Sequence, residues 1–259
     1  MPEPEYEYQR MGAQTWDLFR GEPSNWEDRF FFHEIIQESG QPVLDVGCGT
    51  GRLLLDYFSQ DIDIDGMDNS PEMLNLCRQK AMALGLQPAL FECSMETMNL
   101  PRHYQTIIVP SSSFQLVLDP LCAHNAMKRF YKHLIPGGIL VMPFMLLRKR
   151  GDPLESPWRL TGEKNRSEDN ATIRRWSSSR YDPQTQLEHT EERYEVFRDG
   201  VTITNEYHAR SPATREYSQS QPQDLYVKAG FVDIYIFKEF SRIPASAEDD
   251  IFSITGRRL

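Results

Sequence analysis

This chain of 259 residues has few cysteines, no long uncharged apolar run and no surplus of positive charge. Each shortage excludes something. The four cysteines, Cys48, Cys77, Cys93 and Cys122, never fall in a Cys-x-x-Cys pair. That spacing offers neither a zinc site nor a disulfide framework, so no metal is expected and a reducing, cytoplasmic setting fits. The nearest approach to a membrane span, Ile135 to Leu147, is short and broken by prolines. The first residues are acidic and rich in tyrosine, unlike a basic-then-apolar leader. The formal charge of −10 disfavours a general binder of nucleic acid or anionic membrane. Glycine and proline are near average abundance, so low complexity is excluded as well.

What is present centres on residues 43–51, Val-Leu-Asp-Val-Gly-Cys-Gly-Thr-Gly. Val43 to Val46 read as a short buried strand. Gly47, Gly49 and Gly51 form a turn, and Leu53 to Phe58 begin a helix. A strand, a glycine turn and a helix start make the nucleotide-binding corner of an open α/β sheet. The helix N-terminus offers free N–H groups to an anion. Arg52 stands where the dinucleotide fingerprint GxGxxG needs its third glycine, which argues against a nicotinamide enzyme. The GxxxxGK[ST] spacing of a phosphate loop is missing too.

In chain order, residues 1–25 carry Tyr6, Tyr8, Trp16, Leu18 and Phe19. Two readings stand for this arm: it covers core, or it folds over a pocket. Residues 26–38 read as a helix closed by Gly40. The second strand contains Ile62 and Ile64 and leads to Gly66-Met67-Asp68. Ser70-Pro71 and Asp119-Pro120 are helix starts. Residues 88–92, 106–110 and 139–144 read as the third, fourth and fifth strands. Residues 151–170 are polar and read as loop. Three strands follow within 172–210, with a hairpin turn at Asp199-Gly200. A helix at 223–229 and strands at 231–240 and 250–257 complete the chain. The expected fold is α/β, a doubly wound, mostly parallel seven-stranded sheet with a small inserted antiparallel sheet. Three parts are expected: 1–147, the arm and cofactor-binding part; 148–218, an inserted cover; and 219–259, the closing helix and strands.

Asp68 stands 17 residues after Gly51, at the end of the second strand. A carboxylate there can accept both hydroxyls of a ribose. The loop after the fourth strand, Pro110 to Gln115, lies where open α/β sheets bind ligands.

The segments 43–51, Gly66-Met-Asp-Asn-Ser-Pro-Glu-Met-Leu74 and Leu134-Ile-Pro-Gly-Gly138 resemble the signature segments of class I S-adenosylmethionine-dependent methyltransferases, which share a Rossmann-like sheet. The resemblance covers about 26–147 well and 231–257 more loosely. It implies a methyltransferase with S-adenosyl-L-methionine as cofactor. The turn at Gly47, Cys48, Gly49 and Gly51 would hold its methionine part and Asp68 its ribose, and Asp45 also counts among the cofactor-binding residues. Met67 and Asn69 would flank the adenosine. Ser94 stands where the family often has an acid for the adenine amino group, with Met95 beside it, and Pro110 opens the loop lining the transfer centre. Some relatives acting on sugar amines carry a histidine near Gln115; here Gln115 itself is the candidate to orient an acceptor. The inserted sheet resembles the cover of small-molecule N-methyltransferases, which sometimes also forms a dimer surface.

The cover offers Arg174, Arg175, Trp176, His189, Tyr194, Tyr207, His208 and Arg210. As a group they suggest a polar pocket with aromatic walls. Its arginines suit an acceptor bearing a carboxylate or phosphate. A hydroxyl acceptor would gain from a base such as His189 or His208, whereas an amine needs only its unprotonated form. The expected partner is a small-molecule acceptor, methylated on nitrogen or oxygen, with neither nucleic acid nor membrane bound, in a monomer or homodimer. Two rivals remain: a catalytically silent binding protein of the same fold, and another adenosyl-nucleotide-dependent enzyme.

Overall fold

The computed structural model describes residues 8–21, 26–149 and 151–259. Tyr6 of the arm lies outside them. Two short helices, α1 (Arg10–Gln14) and α2 (Trp16–Arg20), precede α3 (Glu27–Ser39). The alternating part follows: β1 (Val43–Val46), α4 (Arg52–Phe58), β2 (Ile64–Asp68), α5 (Pro71–Ala83), β3 (Leu90–Glu92), β4 (Tyr104–Ile108), α6 (Pro120–His133) and β5 (Leu134–Met145). A single 3-10 turn, Ser113–Leu116, lies between β4 and α6. Then come β6 (Glu155–Arg166), β7 (Ala171–Asp182), β8 (Leu187–Arg198) and β9 (Val201–Arg215). The chain ends with α7 (Ser220–Ala229), β10 (Val232–Lys238) and β11 (Ile251–Arg257).

The main sheet has seven strands in the order β10-β11-β5-β4-β1-β2-β3. Strands β1 to β5 are parallel, and β11 runs antiparallel between β5 and β10. Both faces are covered, so the central strands are apolar on both sides. Val43, Ile108 and Val141 pack with α3 and α4, whereas Leu44, Ile107 and Leu140 pack with α6 and α7. That division follows from the two-residue period of a strand. It also sends Asp45 to the same side as Val43, towards α4.

The helix starts use the chemistry their sequences announce. The Ser70 hydroxyl accepts from Met73 N at 3.2 Å, with Pro71 in the first turn. The Asp119 carboxylate accepts from Leu121 N at 2.7 Å and Cys122 N at 3.0 Å. Each satisfies N–H groups that a helix leaves unpaired.

The second sheet has four antiparallel strands in the order β6-β7-β8-β9, one more than the sequence suggests. The extra strand is β6, inside the stretch read as loop. It is a sheet edge and mostly exposed, so it needs no apolar alternation to form. At the β8–β9 turn Asp199 (φ 51°) and Gly200 (φ 76°) are both left-handed, as a tight two-residue hairpin requires. The second strand of the main sheet also differs from expectation. It spans 64–68 and is buried throughout; Asp65 is held there by the Tyr104 hydroxyl at 2.9 Å.

The arm lies on the inner face of the second sheet. Met11, Leu18 and Phe19 pack against Ala171, Ile173, Tyr194 and Val196. A Cβ at Gly162 would stand 2.6 Å from the Phe19 ring, so the glycine allows this contact. Among the described residues no helix is long and apolar enough to cross a membrane.

Candidate active site

The sheet order reverses between β1 and β4. Carboxyl ends of parallel strands diverge at such a point and leave a crevice. A cavity of about 780 Å³ opens there, walled by the ends of β1, β2 and β4, by residues 93–96 and by the arm.

The glycine turn is the floor. Gly47 N and Cys48 N donate to Met67 O at 2.8 and 3.0 Å, which ties the turn to β2. Gly47 adopts φ 72°, and a Cβ there would stand 2.9 Å from Ser113 Oγ. Gly51 is different. It does not line the cavity, and its missing Cβ makes room for Cys77 Sγ and Leu55 behind the turn. The third glycine of the motif is therefore needed for packing and stands apart from the cavity that Gly47 and Gly49 line.

Asp68 is clamped. Its Oδ2 accepts from Gly49 N at 2.9 Å and its Oδ1 from Ser70 N at 2.8 Å. Burial pushes its carboxyl above the usual range, while N–H groups of Ser70, Gly49 and Asn69 pull it down. A carboxylate offers about four lone-pair sites. Two backbone bonds orient this one and leave acceptor capacity towards the cavity. Met67, Asn69, Ser94 and Met95 line the same end, and Ser94 Oγ pairs with Thr97 Oγ1 at 2.7 Å. Pro110 and Ser111 to Ser113 form the opposite wall.

Two buried polar atoms in this cavity have no hydrogen-bond partner among the described residues: Asp45 Oδ1 and Arg20 Nε. Such orphans are costly and call for an explanation. Asp45 is 1 % exposed, and burial pushes its carboxyl up to about 7, with Arg52 opposing. Arg20 comes from α2. Its guanidinium lies 4.6 Å from the Trp16 ring and 4.3 Å from the Trp26 ring, and it donates to Ser111 Oγ at 3.0 Å. Burial holds its pKa down. The neighbouring Arg52 is already paired with Asp28, at 2.8 and 2.5 Å. Arg20 was invisible to sequence reading, because nothing local to it points at the glycine turn. The one signal was an arginine flanked by Trp16 and Trp26.

The arm is fastened to two of the three signature segments, 43–51 and 66–74, and to α5. Thr50 Oγ1 donates to Asp17 Oδ1 at 2.7 Å, and Lys80 Nζ lies 2.6 Å from Asp17 Oδ2. Ser70 Oγ donates to Tyr8 O at 2.6 Å. Tyr8 and Trp16 line the cavity with their rings 4.5 Å apart. Of the two readings of the arm, both hold: it packs on the second sheet and it walls the pocket.

Of the three residues expected to carry chemistry, Gln115 lines the cavity and the two histidines do not. Gln115 Nε2 donates to Met145 O (3.0 Å) and Arg215 O (2.9 Å), and Oε1 accepts from Met145 N (2.8 Å). Its amide joins the two sheets and has no donor left for an acceptor. His208 is buried under α1, 2.5 Å from Glu206 and edge-on to Tyr194. His189 bonds Ser211 Oγ at 2.7 Å and faces a separate hollow. Neither histidine lines the main cavity. Strand alternation also splits the cover set. Arg175, Tyr194 and Arg210 face the arm, while Arg174 pairs with Glu163 and Trp176 Nε1 donates to Glu195 on the other face. Among the described residues no group of three or more His, Cys, Asp or Glu is placed to hold a metal ion.

Sheet order, glycine turn and inserted sheet together define the fold of class I S-adenosylmethionine-dependent methyltransferases. Residues 43–138 match a family model described as a methyltransferase domain. A methyltransferase structure from Clostridium acetobutylicum superposes with a TM-score of 0.74 at 17% identity, over 90% of this chain and 91% of that one. DesVI of Streptomyces venezuelae gives 0.72 at 20%, over 97% and 100%. An amino pentose methyltransferase from Micromonospora echinaspora, solved with S-adenosylmethionine bound, gives 0.66 at 20%, over 96% and 98%. Among curated proteins, a carboxy-S-adenosyl-L-methionine synthase of Campylobacter lari is 27% identical over 107 residues, which is 40% of this chain. The match spans 44% of that relative's own length.

Proposed function

We propose that this protein transfers a methyl group from S-adenosylmethionine to a small molecule, at nitrogen in preference to oxygen. The observation that carries the reading is a pair of buried side chains in one cavity, Asp45 and Arg20, each with one atom, Oδ1 and Nε, that has no hydrogen-bond partner among the described residues. An amino-acid end with its ammonium and its carboxylate satisfies both. Asp68 keeps lone pairs for two ribose hydroxyls. Met67, Asn69, Ser94 and Met95 supply the walls for an adenine ring. The residues present therefore fit the cofactor.

When bound, the cofactor supplies a methyl group already activated by its sulfonium. The chain is left to bind, orient and exclude water. Asp45 and Arg20 fix one end, and Asp68, held by two backbone N–H groups, fixes the other. Tyr8 and Trp16 close the cavity from the arm side. Burial pushes the Tyr8 hydroxyl up to about 12, so it stays protonated and serves as a hydrogen-bond donor rather than a base. With no histidine among the described cavity walls, an amine that loses its proton to water is the better acceptor. Structural neighbours named as sugar and glycopeptide N-methyltransferases support nitrogen as well.

The test is formation of S-adenosylhomocysteine from S-adenosylmethionine with a panel of small amines and a matched panel of phenols. Turnover with amines, abolished in Asp68→Ala, is the expected result. Turnover with phenols alone would reverse the preference for nitrogen. Tight cofactor binding without turnover on any acceptor would favour the silent binding protein.

A further inference from the structure

The walls of the main cavity divide in two. The glycine turn, Asp68 and residues 93–96 are those that fit the cofactor. The rest come from the seam between the two sheets: Leu116, Val117 and Leu118 at and after the 3-10 turn, Met145 and Leu147 at the end of β5, and Thr214 on β9. The Gln115 amide draws this seam together, because it bonds Met145 and Arg215, the last residues of β5 and β9.

The seam is apolar. Val117 packs on the core around Phe114. Among the described residues, Leu116, Leu118, Met145 and Leu147 belong to none of the buried cores, although all four line the cavity. Met145 is 43% exposed and the other three are half-buried. Large apolar side chains gathered at a cavity and left partly in water are stabilised when an apolar ligand covers them. The polar side chains among them are occupied. Gln115 spends its whole amide on the backbone, and Ser113 Oγ gives its proton to Pro110 O at 2.7 Å.

Charge supplies a second, independent observation. The guanidiniums that line the cavity, Arg20 and Arg52, both rest on the Trp26 ring, at 4.3 and 4.8 Å. Arg52 is paired with Asp28, and Arg20 is the cation assigned above to the cofactor's carboxylate. Arg215 reaches the seam, but it donates to Leu118 O at 2.7 Å and Thr185 O at 3.0 Å. The arginines of the cover stand outside: Arg174 pairs with Glu163, and neither Arg175 nor Arg210 lines the main cavity. What the seam does carry is negative. Asp119 lines it, and the N–H groups of Cys122 and Leu121 hold its carboxyl below the usual range. Glu96 lines the cavity as well, and desolvation, Asp119 and Glu96 together raise the Cys122 thiol, so both carboxylates share this side. An anion placed here would lose water and meet carboxylates, which is costly.

We infer that the seam seats the methyl acceptor, and that this acceptor is an amine with a hydrocarbon body and no anionic group, laid against Leu116, Leu118, Met145 and Leu147. The inference rests on the methyltransferase reading for the word acceptor. The apolar seat itself stands on its own walls. The carboxylates at its side favour the approach of a protonated amine from water.

The experiment is a calorimetric titration of the full chain. S-adenosylhomocysteine is titrated first, so failure of the cofactor reading is seen separately from failure of the apolar seat. Propylamine, hexylamine, ε-aminocaproate and glucosamine follow at constant pH and ionic strength, with and without S-adenosylhomocysteine. Hexylamine is expected to bind tightest. It should gain roughly twofold to fourfold per added methylene over propylamine, and roughly tenfold or more over ε-aminocaproate. Two variants are compared at Met145, whose exposure lets it change without opening the core. Met145→Ser should weaken hexylamine roughly threefold or more and leave S-adenosylhomocysteine affinity unchanged. Met145→Lys should weaken hexylamine and strengthen ε-aminocaproate. Should Met145→Lys fail to fold, Met145→Ser decides alone. Equal affinity of wild type for propylamine and hexylamine, tighter binding of ε-aminocaproate or glucosamine than of hexylamine, no binding of any amine, or hexylamine binding unaltered in Met145→Ser overturns the proposal.

Discussion

The two ends of the combined site are built by opposite strategies. At the glycine turn, the contacts come from residues close in sequence: Gly47, Cys48 and Gly49 on one side, Met67 to Ser70 on the other, joined by backbone N–H groups. At the cover, they come from side chains far apart in the chain, with Phe19 on Arg175, Tyr8 under Arg210 and Gln115 tied to Arg215. Backbone contacts tolerate many side chains but demand particular dihedral angles. Side-chain contacts tolerate backbone adjustment but demand particular chemistry. On the proposed function, the first would be a rigid end for a constant cofactor and the second an adaptable end for a specific acceptor.

Substitutions that break each end should therefore differ in kind. The largest effect is expected at Gly51, where φ is 88° and a Cβ would stand 2.6 Å from Cys77 Sγ and 2.8 Å from Leu55 Cγ. Gly51→Ala combines left-handed strain with overpacking, for a loss of about 3 kcal/mol or more. Chemical denaturation measures it, and a change below roughly 1 kcal/mol would show that the turn relaxes freely. Next comes Arg20→Ala, which removes a cavity cation from the arm. It should weaken S-adenosylhomocysteine binding by roughly tenfold to a hundredfold, the range for a charge-assisted bond, with little change in thermal stability. Unchanged affinity would assign Arg20 to the arm's packing alone.

Smaller effects sharpen the contrast. Gly200→Ala at the far hairpin meets no atom within 4 Å but holds φ 76°. It should cost about 1 kcal/mol of stability while leaving cofactor affinity alone. A fall in affinity would mean the hairpin communicates with the cavity. A pH dependence is expected as well. Burial raises the Asp45 carboxyl to about 7, well above its unfolded value. The folded protein thus favours protonated Asp45, and its contribution is fully present below about pH 4 and lost as pH rises to about 7. Asp45→Asn should stabilise the ligand-free protein more at pH 8 than at pH 5, seen in paired thermal melts. An equal shift at both values would show that Asp45 is not the titrating group.

The same contrast decides what sequence alone could show. Val43 to Gly51, Asp68, Ser70-Pro71 and Asp119-Pro120 are legible because each acts on its immediate neighbours, through a turn, a cap or a strand end. Strand β6 was hidden because an exposed edge strand needs no apolar alternation. Arg20 was hidden because its meaning depends on what lies across the cavity. Arg174 and Arg175 looked alike in sequence, and only the register of β7 sends one to solvent and the other beneath the arm.

The most direct test of the account is a calorimetric titration with S-adenosylmethionine and S-adenosylhomocysteine, comparing wild type with Asp68→Ala. The account predicts micromolar binding of both by wild type, falling by roughly a hundredfold in the variant as two charge-assisted contacts to ribose hydroxyls are lost. Folded wild-type protein that binds neither compound would contradict it.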